Sequence, residues 1–324
     1  MAAPLDIFRA LGDPTRLRIF RLLRAMELAV GEIAQVVGQS QPRVSRHVRI
    51  LAEAGLVERR REGSWVFLTP GTGQAARAML DWFDRVSPSD EERLWMDADL
   101  ARLAAVRADR ARAATQYFTD HADEWDAIRS LHVAERDVEE AMVGLMGERP
   151  VGRLLDLGTG TGRMVELFGE AAQSVTALDR SPEMLRLARA KLPVDQAEKY
   201  RLMIGDFNDL PFADASIDTV VMHQVLHYAQ APEQAVAEIA RVLAPGGFVL
   251  IADFASHELE ELRVRSAHAR LGFSDEQIGG WFAQYGLDLS KVAALPGDPL
   301  TVKIWAGTRR ADNVRTIQRS QTGA

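Results

Sequence analysis

Apolar positions in the first quarter of the chain follow a helical period. Between Leu5 and Arg24 they fall at Leu5, Phe8, Leu11, Leu17, Phe20 and Leu23, interrupted by Gly12-Asp13-Pro14. Pro14 suits the first turn of a second helix and Asp13 its cap. A third helix is predicted over about Val30 to Val37, ended by Gly38. In the next segment Ser40 can cap and Pro42 fits the first turn. Val44, Val48 and Leu51 then face inward, while Gln41, Arg43, Ser45, Arg46 and Arg49 face out. Gly55 stops this helix. Leu56-Val57 and Val66-Phe67-Leu68 read as short strands around Arg59-Arg60-Arg61-Glu62-Gly63-Ser64, a hairpin with a basic tip. A helix from Gly73 to Val86 follows.

Ser87-Pro88-Ser89-Asp90-Glu91-Glu92 breaks that helix and caps another. The new helix, rich in alanine and arginine, runs to about Ala114. Its alternating charges predict a solvent-exposed, semi-rigid spacer. Tyr117-Phe118 and Glu124-Trp125-Asp126 precede a helix over about Val133 to Met146.

Beyond it the period changes to strand and helix in alternation. Strands are predicted at Arg153–Leu157, Ser174–Leu178, Tyr200–Ile204, Ile217–Met222, Gly247–Asp253, Lys291–Leu295 and Leu300–Thr308. Helical patterns lie between them at Arg163–Glu170, Pro182–Lys191, Pro232–Leu243 and a longer section, His257–Tyr285. The fold class is therefore α/β, a doubly wound and largely parallel sheet covered on both faces. Pro296-Gly297-Asp298-Pro299 joins the last two strands as an antiparallel edge pair. The expected domains are residues 1–86, a helical connector at 87–114, the α/β domain at 115–310 and a polar, disordered tail at 311–324.

The first strand of the α/β domain ends in Leu154-Leu155-Asp156-Leu157-Gly158-Thr159-Gly160-Thr161-Gly162-Arg163. Strand, glycine turn, helix lets a ligand approach bare backbone at the carboxyl end of a sheet. A dinucleotide fingerprint needs a small residue where Arg163 stands, so nicotinamide and flavin dinucleotides are disfavoured.

Composition narrows the chemistry. The 324 residues are 47% hydrophobic and 26% charged, as in an ordinary globular protein, and contain no cysteine. Disulfides, thiolate metal sites and cysteine nucleophiles are excluded. The net charge of −7 argues against nucleic acid, but arginine is concentrated in the first seventy or so positions. No apolar run reaches the ~20 residues of a membrane span. Met1–Phe8, carrying Asp6, does not read as a signal peptide, and a cytoplasmic protein is expected.

Leu11-Gly12-Asp13-Pro14-Thr15-Arg16-Leu17-Arg18-Ile19 and Ser40-Gln41-Pro42-Arg43-Val44-Ser45-Arg46-His47, with the basic hairpin, closely resemble the ArsR-type winged helix-turn-helix regulators. The resemblance implies transcription regulation by a homodimer, paired through its first helix and the helix after the wing. Such a dimer reads half-sites ~34 Å apart on double-stranded operator DNA. Gln41, Arg43, Ser45, Arg46 and Arg49 would meet base edges, and Arg60 and Arg61 would neutralise phosphates. The plainer alternative is a dimerisation module with solvated arginines. The chain departs from metal-sensing members: it lacks cysteine, and Gly73–Val86 lacks histidine.

The second domain resembles class I S-adenosylmethionine methyltransferases. Asp156, Gly158, Gly160 and Gly162 match the first motif; Asp179, Gly205-Asp206-Phe207 and Leu243-Ala244-Pro245-Gly246-Gly247 follow in order. The resemblance implies that Asp156 and the backbone of Gly158, Thr159, Gly160 and Gly162 meet the amino acid end of the cofactor. Asp179, with Arg180, would take the ribose hydroxyls, Asp206 the adenine amino group, and Phe207 would stack or donate its amide. Tyr117 and Trp125 are lid candidates, packing against the sheet edge being the alternative. His223, His227 and Tyr228, after the fourth strand, are candidates for a general base, with packing or hydrogen bonding the plainer alternative; His223 also counts toward the cofactor site. If helical, His223 and His227 would share a face like half a zinc site, but Gln224 stands where a zinc hydrolase needs Glu, and no metal is expected. Asp253 and His268 are further acceptor-side candidates, whereas His257 reads as a surface cap. The two resemblances together imply a regulator fused to a methyltransferase acting on a small-molecule acceptor. The alternative is a non-catalytic repressor sensing S-adenosylmethionine or S-adenosylhomocysteine. Arsenic methylation does not fit, because arsenite methyltransferases hold arsenic with cysteines.

Overall fold

The computed structural model describes residues 4–25, 28–62, 65–121, 133–192 and 198–311. Trp125 and the tail beyond residue 311 lie outside them. The chain forms two compact units: residues 1–120 with 227–231 and 256–272, and the remainder.

In the first unit, helices α1 (Pro4–Leu11), α2 (Pro14–Ala25), α3 (Val30–Val37) and α4 (Gln41–Glu53) precede a hairpin of β2 (Val57–Glu62) and β3 (Trp65–Pro70). Asp13 caps α2 through the Arg16 N–H at 3.0 Å. Gly38, with φ of 69°, ends α3 in the left-handed region. A two-residue strand that the periodicity does not reveal, β1 (Leu28–Ala29), pairs antiparallel with β3. The hairpin strands are longer than Leu56-Val57 and Val66–Leu68 imply. Their ladder from Val57↔Pro70 to Glu62↔Trp65 carries the polar residues of β2 as well.

Two helices complete the unit, α5 (Gln74–Arg85) and α6 (Asp90–His121). The start of α6 is a reciprocal capping box: the Glu92 N–H donates to Ser89 Oγ and the Ser89 N–H to Glu92 Oε2, at 3.2 and 2.8 Å. The expectation of a solvent-exposed spacer is corrected here. Leu103 and Val106 of α6 join the hydrophobic cluster formed by Ile19, Phe20, Ile33, Val44, Val48 and Leu51. Asp99, 2% exposed, accepts two hydrogen bonds from Arg18 at 2.6 and 2.8 Å. One buried carboxylate and two apolar side chains thus fasten a helix whose composition is otherwise that of a surface.

The second unit is a seven-stranded sheet. Its strands are β4 (Gly152–Leu157), β5 (Ala172–Asp179), β6 (Tyr200–Ile204), β7 (Ile217–His223), β8 (Leu243–Phe254), β9 (Leu287–Leu295) and β10 (Val302–Arg309). The order is β6-β5-β4-β7-β8-β10-β9, with β10 antiparallel to both neighbours and the remaining pairs parallel. The antiparallel edge pair expected from Pro296–Pro299 is present. The inner strands are apolar on both faces, since helices pack on each: Val220, Val221, Leu250 and Ile251 are fully buried. Order reverses between β4 and β7, which opens a crevice at their carboxyl ends.

Helix α7 (Glu135–Met146) precedes this sheet, and α8 (Arg163–Phe168), α9 (Pro182–Lys191) and α10 (Pro232–Val242) connect its strands. Arg163 donates to both carboxylate oxygens of Glu139 at 2.6 and 2.8 Å, and so binds α8 to α7. Its guanidinium is held above its usual pKa by those bonds. The continuous helical section read over His257–Tyr285 is corrected to a short α11 (Glu261–Arg265) and a separate α12 (Asp275–Gln284). Ala267 and Gly272, both at positive φ, break the run between them.

Candidate functional site

The crevice is built by glycine. Gly158, Gly160 and Gly162 have φ of 68°, 54° and 85°, a left-handed succession that side chains resist. At Gly158 an added Cβ would stand 2.4 Å from Val225 Cγ1, so the turn after β4 lies directly against the turn after β7. Asp156, 1% exposed, accepts from the Thr159 hydroxyl at 2.6 Å. Asp179, at the end of β5, accepts from the Gly160 and Ser181 N–H groups at 2.9 and 2.8 Å. Burial pushes its carboxyl above the usual carboxylate range, against the opposing pull of the backbone N–H groups of Ser181, Gly160 and Arg180. Asp206, beyond β6, accepts from the Asn208 N–H and side-chain amide at 2.9 and 3.0 Å and faces Arg180 at 3.9 Å. Phe207 is buried. Asp156, the glycine turn, Asp179, Arg180 and Asp206 are thereby collected at the carboxyl ends of three adjacent strands. The Tyr117 side chain lies outside the described residues.

The histidines are arranged differently from the helical pair the spacing allowed. His223 ends β7, Gln224 turns the chain at φ of 52°, and Leu226–Tyr228 is a single 3₁₀ turn. The shared helical face of His223 and His227 does not form. His227 instead packs against Tyr228 and His268 in tilted ring contacts, with ring centroids 4.0 and 4.2 Å away. Tyr228 and His268 meet edge to face at 5.5 Å. All three rings are buried, as is His223. Asp253 is fully buried and accepts from the Phe254 N–H at 2.7 Å. His257 makes a local turn, accepting from the Leu259 N–H at 3.2 Å. Among the described residues, no three His, Asp or Glu side chains gather as metal ligands do. His268 sits 45 positions beyond the end of β7, and no periodicity connects it to Tyr228; only the fold brings the three rings together.

On the first unit, α4 buries Val44, Val48 and Leu51 and exposes Gln41, Arg43, Ser45, Arg46 and Arg49. Arg61 is exposed, whereas Arg60 is partly buried with its guanidinium 5.3 Å from the Phe67 ring. His47 is 3.7 Å from Asp13, and burial lowers its pKa.

The family described as a methyltransferase domain matches residues 155–251, the stretch from β4 to β8, and a helix-turn-helix domain matches residues 11–60. The chain thus joins a segment similar to helix-turn-helix domains to one similar to methyltransferase domains. The methyltransferase domain is 35% identical over 151 residues to a malonyl-[acyl-carrier protein] O-methyltransferase of Serratia marcescens, covering 47% of this chain and 56% of that one. A demethylmenaquinone methyltransferase of Renibacterium salmoninarum is 37% identical over 114 residues, 35% of this chain and 46% of that one. The chain thus spans about half the length of these relatives. Among solved structures, the YcgJ protein of Bacillus subtilis superposes with a TM-score of 0.47 at 21% identity, over 54% of this chain and 99% of that one.

Proposed function

We propose that the chain transfers a methyl group from S-adenosylmethionine to a small-molecule acceptor. We further propose that its helix-turn-helix domain is an ArsR-type regulator that binds operator DNA as a homodimer in the cytoplasm. The observation that carries the cofactor reading is Asp179, whose carboxylate closes over the left-handed glycine turn while keeping lone pairs for further donors. That donor set fits a nucleoside with a free amino acid end: carboxylates for ribose hydroxyls and an exocyclic amine, and bare backbone where the chain turns. Arg163 weighs against a dinucleotide, because its side chain is engaged by Glu139 at the position a dinucleotide fold keeps small.

S-adenosylmethionine supplies a methyl group on a sulfonium that leaves as a neutral thioether, so the protein needs to align, to exclude water and to accept a proton. In this reading the Asp179 and Asp206 carboxylates hold the nucleoside, and the glycine backbone meets the amino acid end. His227, held between Tyr228 and His268, receives the proton that the acceptor gives up. The acceptors named for the relatives, an acyl-carrier-bound malonyl group and a quinone, are the first classes to assay.

The dimer reading is supported by exposed apolar side chains on two helices. Leu5 and Phe8 of α1 are 58% and 63% exposed, and Trp82 of α5 is 50% exposed. The described residues hold no helix long and apolar enough to cross a membrane. The test is transfer of tritiated methyl from S-adenosylmethionine to malonyl thioesters and quinones. Turnover that falls at least tenfold in His227→Asn, with S-adenosylhomocysteine affinity unchanged, supports the assignment; no turnover with either class, alongside normal cofactor binding, favours a sensor of S-adenosylmethionine or S-adenosylhomocysteine.

A further inference from the structure

The wing strand β3 alternates in and out. Leu68 belongs to the hydrophobic cluster of the first unit and Val66 packs against it, so Phe67 projects from the opposite face of the hairpin. Phe67 is nevertheless only 1% exposed. Guanidinium groups surround its ring: Arg60 at 5.3 Å, Arg263 at 5.8 Å and Arg270 at 4.2 Å from the centroid. The last two belong to residues 256–272, the segment between β8 and α12 that folds into the same compact unit as the wing.

Arg270 is the better placed of the two. It is 1% exposed, its backbone N–H donates to the His227 carbonyl at 2.9 Å, and its side-chain Nη2 donates to the Gln230 carbonyl at 2.7 Å. Backbone and side chain of one residue therefore hold the two ends of the turn that carries His227 and Tyr228, while its guanidinium lies 4.2 Å from an aromatic ring of the wing. His268, two residues earlier, packs against the His227 ring.

We propose that Arg270 is a positioning residue for the His227–Tyr228–His268 rings, and that Phe67 of the wing is the platform on which it stands. Arginine is required at this position. Its guanidinium lies over the Phe67 ring while its Nη2 still reaches the Gln230 carbonyl, a pairing for which the compact ammonium of a lysine is poorly shaped. Any ligand that moves the wing moves the rings as well, and the coupling is reciprocal. The catalytic meaning of the rings rests on the methyltransferase reading; the joint itself does not.

The test uses the full chain with its histidine rings labelled with ¹⁵N, of which there are seven. His227 and His268 are assigned from His→Asn variants. In Phe67→Leu, Arg270→Lys and Arg270→Met, both imidazole signals should move by more than a linewidth and change tautomer balance. The His47 signal on α4 should stay in place, and Phe67→Tyr should restore the wild-type pattern. S-adenosylhomocysteine affinity, measured in parallel by calorimetry, should stay within twofold. His227 and His268 signals coincident with wild type in the Arg270 variants would overturn the joint. Should Phe67→Leu unfold the wing, the two Arg270 variants decide alone, because that residue lies outside the winged-helix core. Wild-type protein that fails to bind S-adenosylhomocysteine would instead count against the cofactor reading, and the ring signals would still report on Arg270.

Discussion

Replacing Asp99 with alanine removes the only carboxylate within hydrogen-bonding distance of Arg18 among the described residues, and it does so inside the first unit. Arg18 and Asp99 have side chains 17% and 3% exposed and are joined at 2.6 Å. Removing one member of a buried pair typically costs about 3–5 kcal/mol, since the remaining charge is left uncompensated. Arg18 keeps a bond to the Val37 carbonyl at 3.3 Å and lies 5.9 Å from the Trp95 ring, and it has some access to water. The expected loss is therefore at the low end, about 3 kcal/mol, or roughly a hundredfold in the opening equilibrium. Asp99→Asn keeps an acceptor and loses the charge, for which roughly 1–2 kcal/mol is expected. Native-state hydrogen exchange across α2 and α6 reads this directly, and the amides of both helices should lose protection together. A helix lying free in solvent would change by no more than about 0.5 kcal/mol, and only locally. Loss confined to α6, or a total change under that value, would refute the packing of α6 on the DNA-binding core.

Other outcomes follow from the same geometry. Gly158→Ala should cost at least about 2 kcal/mol in thermal unfolding and abolish measurable cofactor binding, because the new Cβ would stand 2.4 Å from Val225 Cγ1 at a φ of 68°. Arg43→Ala and Arg46→Ala should each weaken operator binding by ~1–3 kcal/mol in anisotropy titrations; unchanged affinity in both would reject α4 as the recognition helix. Asp218, which accepts from the Nε and Nη2 of Arg153 at 2.8 Å each, has its carboxyl held below the usual range by those bonds. A depressed folded-state pKa contributes stability above the unfolded value of about 3.9 and loses it as pH falls through the folded value. The stability difference between wild type and Asp218→Asn should thus be constant above about pH 5 and shrink toward pH 3 in urea titrations.

Much of this architecture is legible in the chain because local rules and global fold agree. The inner strands carry apolar runs such as residues 220–222 and 248–252, the helices are punctuated by Asp13, Gly38 and Ser89, and the inward face of α4 follows a simple spacing. The glycine turn was visible as spacing, whereas the acids at Asp179 and Asp206 stood out only through the resemblance to class I methyltransferases. The rest depended on contacts that no period encodes. A single Asp99 among many surface charges decides that α6 is fastened to the core. His268 meets His227 because positive-φ residues end α11 early and return the chain, where the composition favoured continued helix. Arg60 reads as a phosphate ligand from its place in a basic hairpin, yet β-alternation sets it over Phe67, beside Arg270.

The central claim is that the crevice at Gly158–Gly162 holds S-adenosylmethionine through Asp179. Calorimetric titration of the full chain with that cofactor, for wild type and Asp179→Ala, tests it most directly. Charge-assisted hydrogen bonds contribute about 1.5–3 kcal/mol each, so losing two to the ribose should weaken binding by at least about a hundredfold. Saturable binding in the wild type that collapses by that factor in the variant is the predicted result. No binding in the wild type, or equal affinity in the two proteins, would contradict the account.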